Sequence, residues 1–177
     1  MTAPPNIALI GPMGSGKSTV AHQVAAALGW TAIDIDAEVE ARAGCPISAL
    51  FAAQGECAFR ALEHEALADA LAGRGRVIAT GGGVVLDPAN RDRLAERAHV
   101  LWLRASIDSQ MGRLATDTQR PLLAGNDRRA TLQRLAAIRE PLYASIAEAV
   151  VDTDGLDPDA VAARVMATLP SMEPAAR

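Results

Sequence analysis

Residues 11–19 read GPMGSGKST, and Gly11, Gly16, Lys17 and Ser18 fill the pattern G-x-x-x-x-G-K-[ST] without a gap. The residue types answer a chemical need. Glycines let successive backbone N–H groups turn inward around phosphate oxygens, and a helix N-terminus adds its positive dipole end. Lys17 supplies a mobile positive charge to β- and γ-phosphates, while the Ser18 hydroxyl is a ligand for Mg2+. A plain strand-to-helix turn is the competing reading, and motif and context together favour phosphate binding.

Three further groups bear on what receives a phosphoryl group. Asp34 and Asp36, in IDIDAEVE, fall at the end of the second expected strand, where ligands collect in open α/β sheets. On extended chain two aspartates at i and i+2 point the same way. One would then support the metal and the other accept hydrogen bonds from substrate hydroxyls or take a proton. An N-cap and a first-turn acid of the following helix account for the pair equally well. Arg60 and Glu63, in GECAFRALE, are three apart on a helix and can touch, although a solvated surface pair is the commoner outcome. Gly81, Gly82 and Gly83 end another strand, which suits either close approach of a ligand to backbone or a tight turn.

These residues must be held by regular elements. NIALI (6–10), TAID (31–34), RVIAT (76–80), HVLWLRA (99–105) and EAVVDT (148–153) read as strands. Helices are expected over 15–29, then as two short pieces broken at Gly44 and Pro46, then over 56–73, 88–97, 107–115, 129–147 and 157–169. The helix over 129–147 carries Pro141 within it. Strands alternating with helices predict an α/β fold, a three-layer αβα sandwich around a central five-stranded parallel sheet. Apolar strands such as VIAT and VLWL agree with burial on both faces. Residues 116–127 have the proline, glycine and polar content of a mobile lid, residues 1–170 form a single domain, and residues 171–177 read as a flexible tail.

Composition narrows the classes. A net charge of −4 and a pI near 5.4 argue against a nucleic-acid binder, which needs a basic field. The longest apolar runs fall far short of the roughly 20 residues that span a bilayer. The opening segment lacks the basic region of a secretion signal, so a soluble, cytoplasmic protein without membrane partners is expected. Cys45 and Cys57 form neither a CxxC pair nor a zinc-spaced cluster and read as buried free thiols. A GTP switch is excluded, since N-K-x-D is absent and the single D-x-x-G, Asp152 to Gly155, lies too near the C-terminus.

GPMGSGKST, DID, GECAFRALE, TGGG, RPLL and REPLY follow one another in the order, and at about the spacing, of the shikimate kinase family, which the chain resembles from about residue 6 to residue 169. The resemblance implies ATP-dependent phosphorylation of shikimate, a small-molecule substrate, by a P-loop kinase fold with a mobile lid, usually monomeric, with Mg2+. It implies ATP binding by Gly14, Ser15, Gly16, Lys17, Ser18 and Thr19, with Arg113 against adenine and Arg120 of RPLL reaching the transferring phosphate from the lid. Ser18 and Asp34 would attend the metal, Asp34 mostly through water. Asp36 would bind shikimate hydroxyls and is the candidate general base. Arg60 and Arg139 would hold the carboxylate, Glu63 would orient Arg60, and Gly81, Gly82 and Gly83 would line the ring, so that Lys17, Asp36 and Arg120 are the catalytic candidates. One departure stands out: the segment TDTQRPLLAG carries a single arginine before its apolar end. Gluconate and nucleoside monophosphate kinases are the neighbouring alternatives, and with 3% aromatic residues the chain has little with which to stack a nucleobase acceptor.

Overall fold

The computed structural model of the chain describes residues 6–115 and 127–169. Five strands, β1 (Asn6–Ile10), β2 (Thr31–Asp34), β3 (Arg76–Ala79), β4 (Ala98–Arg104) and β5 (Ala149–Asp152), form one sheet in the order β2-β3-β1-β4-β5. Every pairing is parallel, with Ile7 opposite Val77 on one side and His99 on the other. The expected five-stranded parallel sheet is therefore present. Its central strand, NIALI, is buried along its whole length, as a strand covered on both faces should be.

Strand alternation divides the core in two. Ala8, Ile10, Ile78, Val100 and Trp102 point to one face. There they meet α2 (Ile35–Ala43), α3 (Ile47–Ala72), α4 (Pro88–Arg97) and α6 (Arg128–Ile146). Ile7, Leu9, Val77, Leu101 and Leu103 point to the other face and pack on α1 (Lys17–Leu28) and α7 (Pro158–Thr168). The seventh helix, α5 (Ile107–Arg113), joins α6 and the phosphate loop through a small cluster of Met13, Leu114 and Leu132.

The helix boundaries follow local chemistry. Asp34, Asp87, Ser106, Asp127 and Asp157 each cap a helix by accepting a backbone N–H. α3 is two helices joined across a kink at Gly55, at φ 79° and ψ 179°, a backbone region that essentially only glycine enters. The two pieces expected on either side of residue 55 are thus present, end to end. A short 3-10 turn, Val84–Leu86, follows the glycine run and was not expected. Pro141 does lie inside α6.

Of the two readings of the aspartate pair, the structure has the helix start: β2 ends at Asp34, whose Oδ1 accepts from the N–H groups of Asp36 and Ala37 and so starts α2 there. The capping preference of aspartate decided the geometry over strand alternation. One expectation needs correction: the cysteines are free thiols but not buried ones, since Cys45 is half-buried and Cys57 exposed. Of the expected lid only Asp127 is described, as the cap of α6, and the remainder, Arg120 included, lies outside the described residues. Among the described residues no helix is long and apolar enough to cross a membrane.

Candidate active site

The phosphate loop leaves the central strand through Gly11, at φ 142°, where a β-carbon would run into the Leu103 carbonyl. Gly14 and Gly16 also take positive φ, which lets the loop wrap back on itself. Gly16 precedes α1 with no side-chain cap, and no acidic residue occupies the first turn. The first N–H groups of α1 and its dipole are thus left for an anion. Lys17, 8% exposed, folds its Nζ over the loop and donates to the carbonyls of Gly11 at 2.8 Å and Pro12 at 2.7 Å and to Ser15 Oγ at 3.3 Å. Ser15 is itself tied to Pro12 O at 2.9 Å.

An open cavity of about 830 Å3, its mouth included, lies above the loop. Gly14, Gly16, Lys17, Ser18 and Thr19 form its floor, with Asp34, Asp36, Thr80 and Gly82 on one side and Arg113 on the other. Arg113 is held in place by Gly14 O at 3.0 Å, Thr153 Oγ1 at 2.9 Å and Thr153 O at 2.6 Å. Asp34 and Asp36 therefore share the cavity although one caps a helix and the other sits in its first turn.

The glycine run shows why side chains are absent there. A β-carbon on Gly81 would lie 2.7 Å from Glu63 Oε1 and 2.9 Å from Asp36 Oδ1. On Gly82 it would meet Arg139 Nη1 at 3.4 Å, and on Gly83 the Arg60 guanidinium at 2.5–2.8 Å. Every candidate acceptor-binding side chain within the described residues converges on three consecutive backbone positions. Sequence spacing gave no sign of that convergence, which joins residues as far apart as Asp36 and Arg139.

Arg60 and Glu63 do touch, Nη1 to Oε2 at 2.7 Å, and Glu56 adds a second partner to Arg60 at 3.0 Å. They are not the solvated pair that is the commoner outcome, because Glu63 is 1% exposed. Burial pushes the Glu63 carboxyl above the ordinary glutamate range, opposed by Arg60. Burial acts to lower the Arg60 pKa, but Glu63 and Glu56 outweigh it and hold the guanidinium charged. Arg139, 5% exposed on α6, is lowered by burial. Glu63 Oε1 and Arg139 Nε are both buried without a hydrogen-bond partner among the described residues. Unpaired buried polar atoms cost about 1–3 kcal/mol each, and these two belong to side chains that abut the glycine run.

Thr80, Tyr143 and Thr153 belong to this architecture and carried no assignment from sequence. Thr80 Oγ1 donates to Leu9 O at 3.0 Å and fastens the start of the glycine run to β1. Thr80 and Tyr143 were in view as parts of TGGG and REPLY, whereas nothing in the sequence marks Thr153.

Ser18 and Asp34, the two residues expected to attend the metal, both line the cavity and both offer oxygen, a donor type suited to a hard cation. No group of three or more His, Cys, Asp or Glu residues able to hold a metal occurs among the described residues. Mg2+ keeps waters and binds mainly through substrate phosphates, so it needs no such group.

The family model for shikimate kinase matches residues 13–170. A shikimate kinase of Halorhodospira halophila is 48% identical over 94% of this chain and 94% of its own. The solved structure of a shikimate kinase from Acinetobacter baumannii in complex with shikimate superposes with a TM-score of 0.90 at 35% identity, covering 93% of this chain and 92% of that one. A gluconokinase from Sinorhizobium meliloti, with a TM-score of 0.63 at 20% identity over 94% and 92% of the two chains, shares the fold.

Proposed function

Because this chain belongs to the shikimate kinase family, we propose that its cavity carries out the family's reaction with the residues described above. The activity is transfer of the γ-phosphoryl group of ATP to the 3-hydroxyl of shikimate, giving shikimate 3-phosphate and ADP, a step of chorismate and aromatic amino-acid biosynthesis. The observation that carries the residue assignment is the convergence of Asp36, Glu63, Arg60 and Arg139 on the glycine run beside the phosphate loop.

In this reading Gly14, Ser15, Gly16, Lys17, Ser18 and Thr19 bind the phosphates, and Arg113 flanks the adenine. Lys17 exchanges the loop carbonyls for β- and γ-phosphate oxygens, a trade of one set of acceptors for another. Mg2+ would be held by Ser18, with Asp34 contributing through water because its Oδ1 is committed to capping α2. Bound there, the ion supplies neutralisation of phosphate charge.

Arg60 and Arg139 hold the acceptor's carboxylate, for which planar guanidinium forks are the fitted partners. Glu63 keeps Arg60 in place. Asp36 orients the acceptor hydroxyl and accepts its proton as the oxygen bonds to phosphorus and the bond from phosphorus to the β-bridging oxygen breaks. Phosphoryl transfer depends chiefly on position and charge, so Asp36 needs alignment more than a shifted pKa. Arg120 is assigned to the transferring phosphate from the lid. Water competes as acceptor, which is the reason for a lid over 116–127 that closes before transfer. Membership of a family that is usually monomeric supports a monomeric cytoplasmic enzyme, and the net charge of −4 speaks against a nucleic-acid partner.

Phosphorus NMR of a reaction containing MgATP and shikimate tests the assignment. A new phosphate monoester resonance coupled to the proton on carbon 3 is expected. Release of inorganic phosphate in its place would mean that water is the acceptor and that the site reading is wrong.

A further inference from the structure

Tyr143 joins α6 to the glycine run and has no role in the reaction as described. It is 1% exposed, and its hydroxyl donates to the Gly82 carbonyl at 2.5 Å, a contact across 61 residues of chain. Its ring packs on Trp102, centroids 5.6 Å apart at 41°. Arg139 lies one turn earlier on α6, so the two side chains leave the helix on the same face.

The chemistry of the phenol suits a connector. Burial pushes its pKa up, and the positive charge of Arg139 opposes that rise. The group therefore stays protonated, and a protonated phenol is the donor that the Gly82 carbonyl requires. Its proton is committed to Gly82, and its oxygen lone pairs remain available to the neighbouring guanidinium. Conversely, a hydrogen bond to Tyr143 is among the influences that raise the Arg139 pKa against its burial.

Peptide geometry then extends the effect. Among the described residues there are no cis peptide bonds, so the Gly82 carbonyl and the Gly83 N–H lie on opposite edges of one planar trans unit. Fastening the carbonyl to α6 turns the Gly83 N–H away from α6. Arg139 Nη1 is within 3.4 Å of a β-carbon position on Gly82, and Arg60 surrounds that of Gly83. One hydroxyl thus governs a peptide plane set between the two arginines.

We propose that Tyr143 is a positioning residue for the acceptor's carboxylate, its hydroxyl fixing the Gly82 peptide plane and seating the Arg139 guanidinium. The proposal rests on the reading of this cavity as the shikimate site. A core tyrosine present only for packing would need the ring and not the hydroxyl.

Tyr143→Phe keeps the ring against Trp102 and removes only the oxygen. Expected are a KM for shikimate raised about tenfold, kcat and the KM for ATP within twofold of the parent, and a smaller preference for shikimate over its uncharged methyl ester. An unchanged KM and an unchanged preference would overturn the proposal. Tyr143 is the sole tyrosine of the chain, so 3-fluorotyrosine gives a single fluorine resonance that reports on it without substitution. This resonance is expected to shift saturably with shikimate, with half-saturation at its binding constant, and not with ATP alone. No shift at saturating shikimate would overturn the proposal even if the Phe variant failed to fold. A wild-type protein that releases no ADP in response to shikimate would instead overturn the site reading, a result distinct from either.

Discussion

Arg60 and Glu63 are three residues apart, a spacing that on most helices yields a solvated ion pair of little weight. Here the carboxylate is 1% exposed, and its raised pKa makes it a pH-sensitive part of the site. Protonating Glu63 removes the charge that fixes Arg60, so kcat/KM for shikimate should fall as the pH drops through a value above the ordinary glutamate range. Glu63→Gln should have a lower plateau and lack this acid limb; an identical limb in the variant would assign it to another group. Stability has the opposite sign. The folded chain binds this proton more tightly than the unfolded one, so the contribution of Glu63 to stability is fully present below the unfolded pKa and is lost as pH rises through the folded value. The pair itself was legible in GECAFRALE, but its burial was not, because the covering residues come from elsewhere in the chain. The Asp34 and Asp36 pair was half legible: both face the cavity, although a helix cap and not an extended strand brings them there.

Glycine runs are legible in a sequence as places without side chains, but not what fills the space. The turn after β3 leaves room for four functional side chains, Asp36, Arg60, Glu63 and Arg139, and Gly81 is where the two carboxylates approach. Gly81→Ala would set a β-carbon 2.7 Å from Glu63 Oε1 and 2.9 Å from Asp36 Oδ1, so one or both must move. Steady-state kinetics should show kcat/KM for shikimate lowered by ten-fold or more with the KM for ATP little changed; unaltered kinetics for both substrates would mean that this approach has no functional weight. The elements themselves were largely readable. Five strands and their intervening helices follow from apolar runs and stop signals. The strand order β2-β3-β1-β4-β5 did not follow, since pairing register is a long-range property that local pattern leaves open.

On the scale of the whole molecule, the parallel sheet places the ends of β1, β2 and β3 side by side, which is how the phosphate loop, the aspartates and the glycine run come to share one cavity. Ligand binding should accordingly stabilise the entire domain. At a nucleotide concentration about 100 times its Kd the gain is about 2.7 kcal/mol, or a rise of roughly 5–10 °C in Tm for a chain of this size. Lys17→Met should abolish most of that rise while leaving the Tm without nucleotide within a few degrees; a full rise in the variant would remove Lys17 from the phosphate site. The most direct test of the account is ADP release from MgATP by the purified protein, with and without shikimate, beside Asp36→Asn and Arg139→Ala. The account predicts release that requires shikimate, a kcat at least about 100-fold lower for Asp36→Asn, and a KM for shikimate raised about 10- to 100-fold for Arg139→Ala. Release indifferent to shikimate, or both variants behaving as the parent, would contradict it.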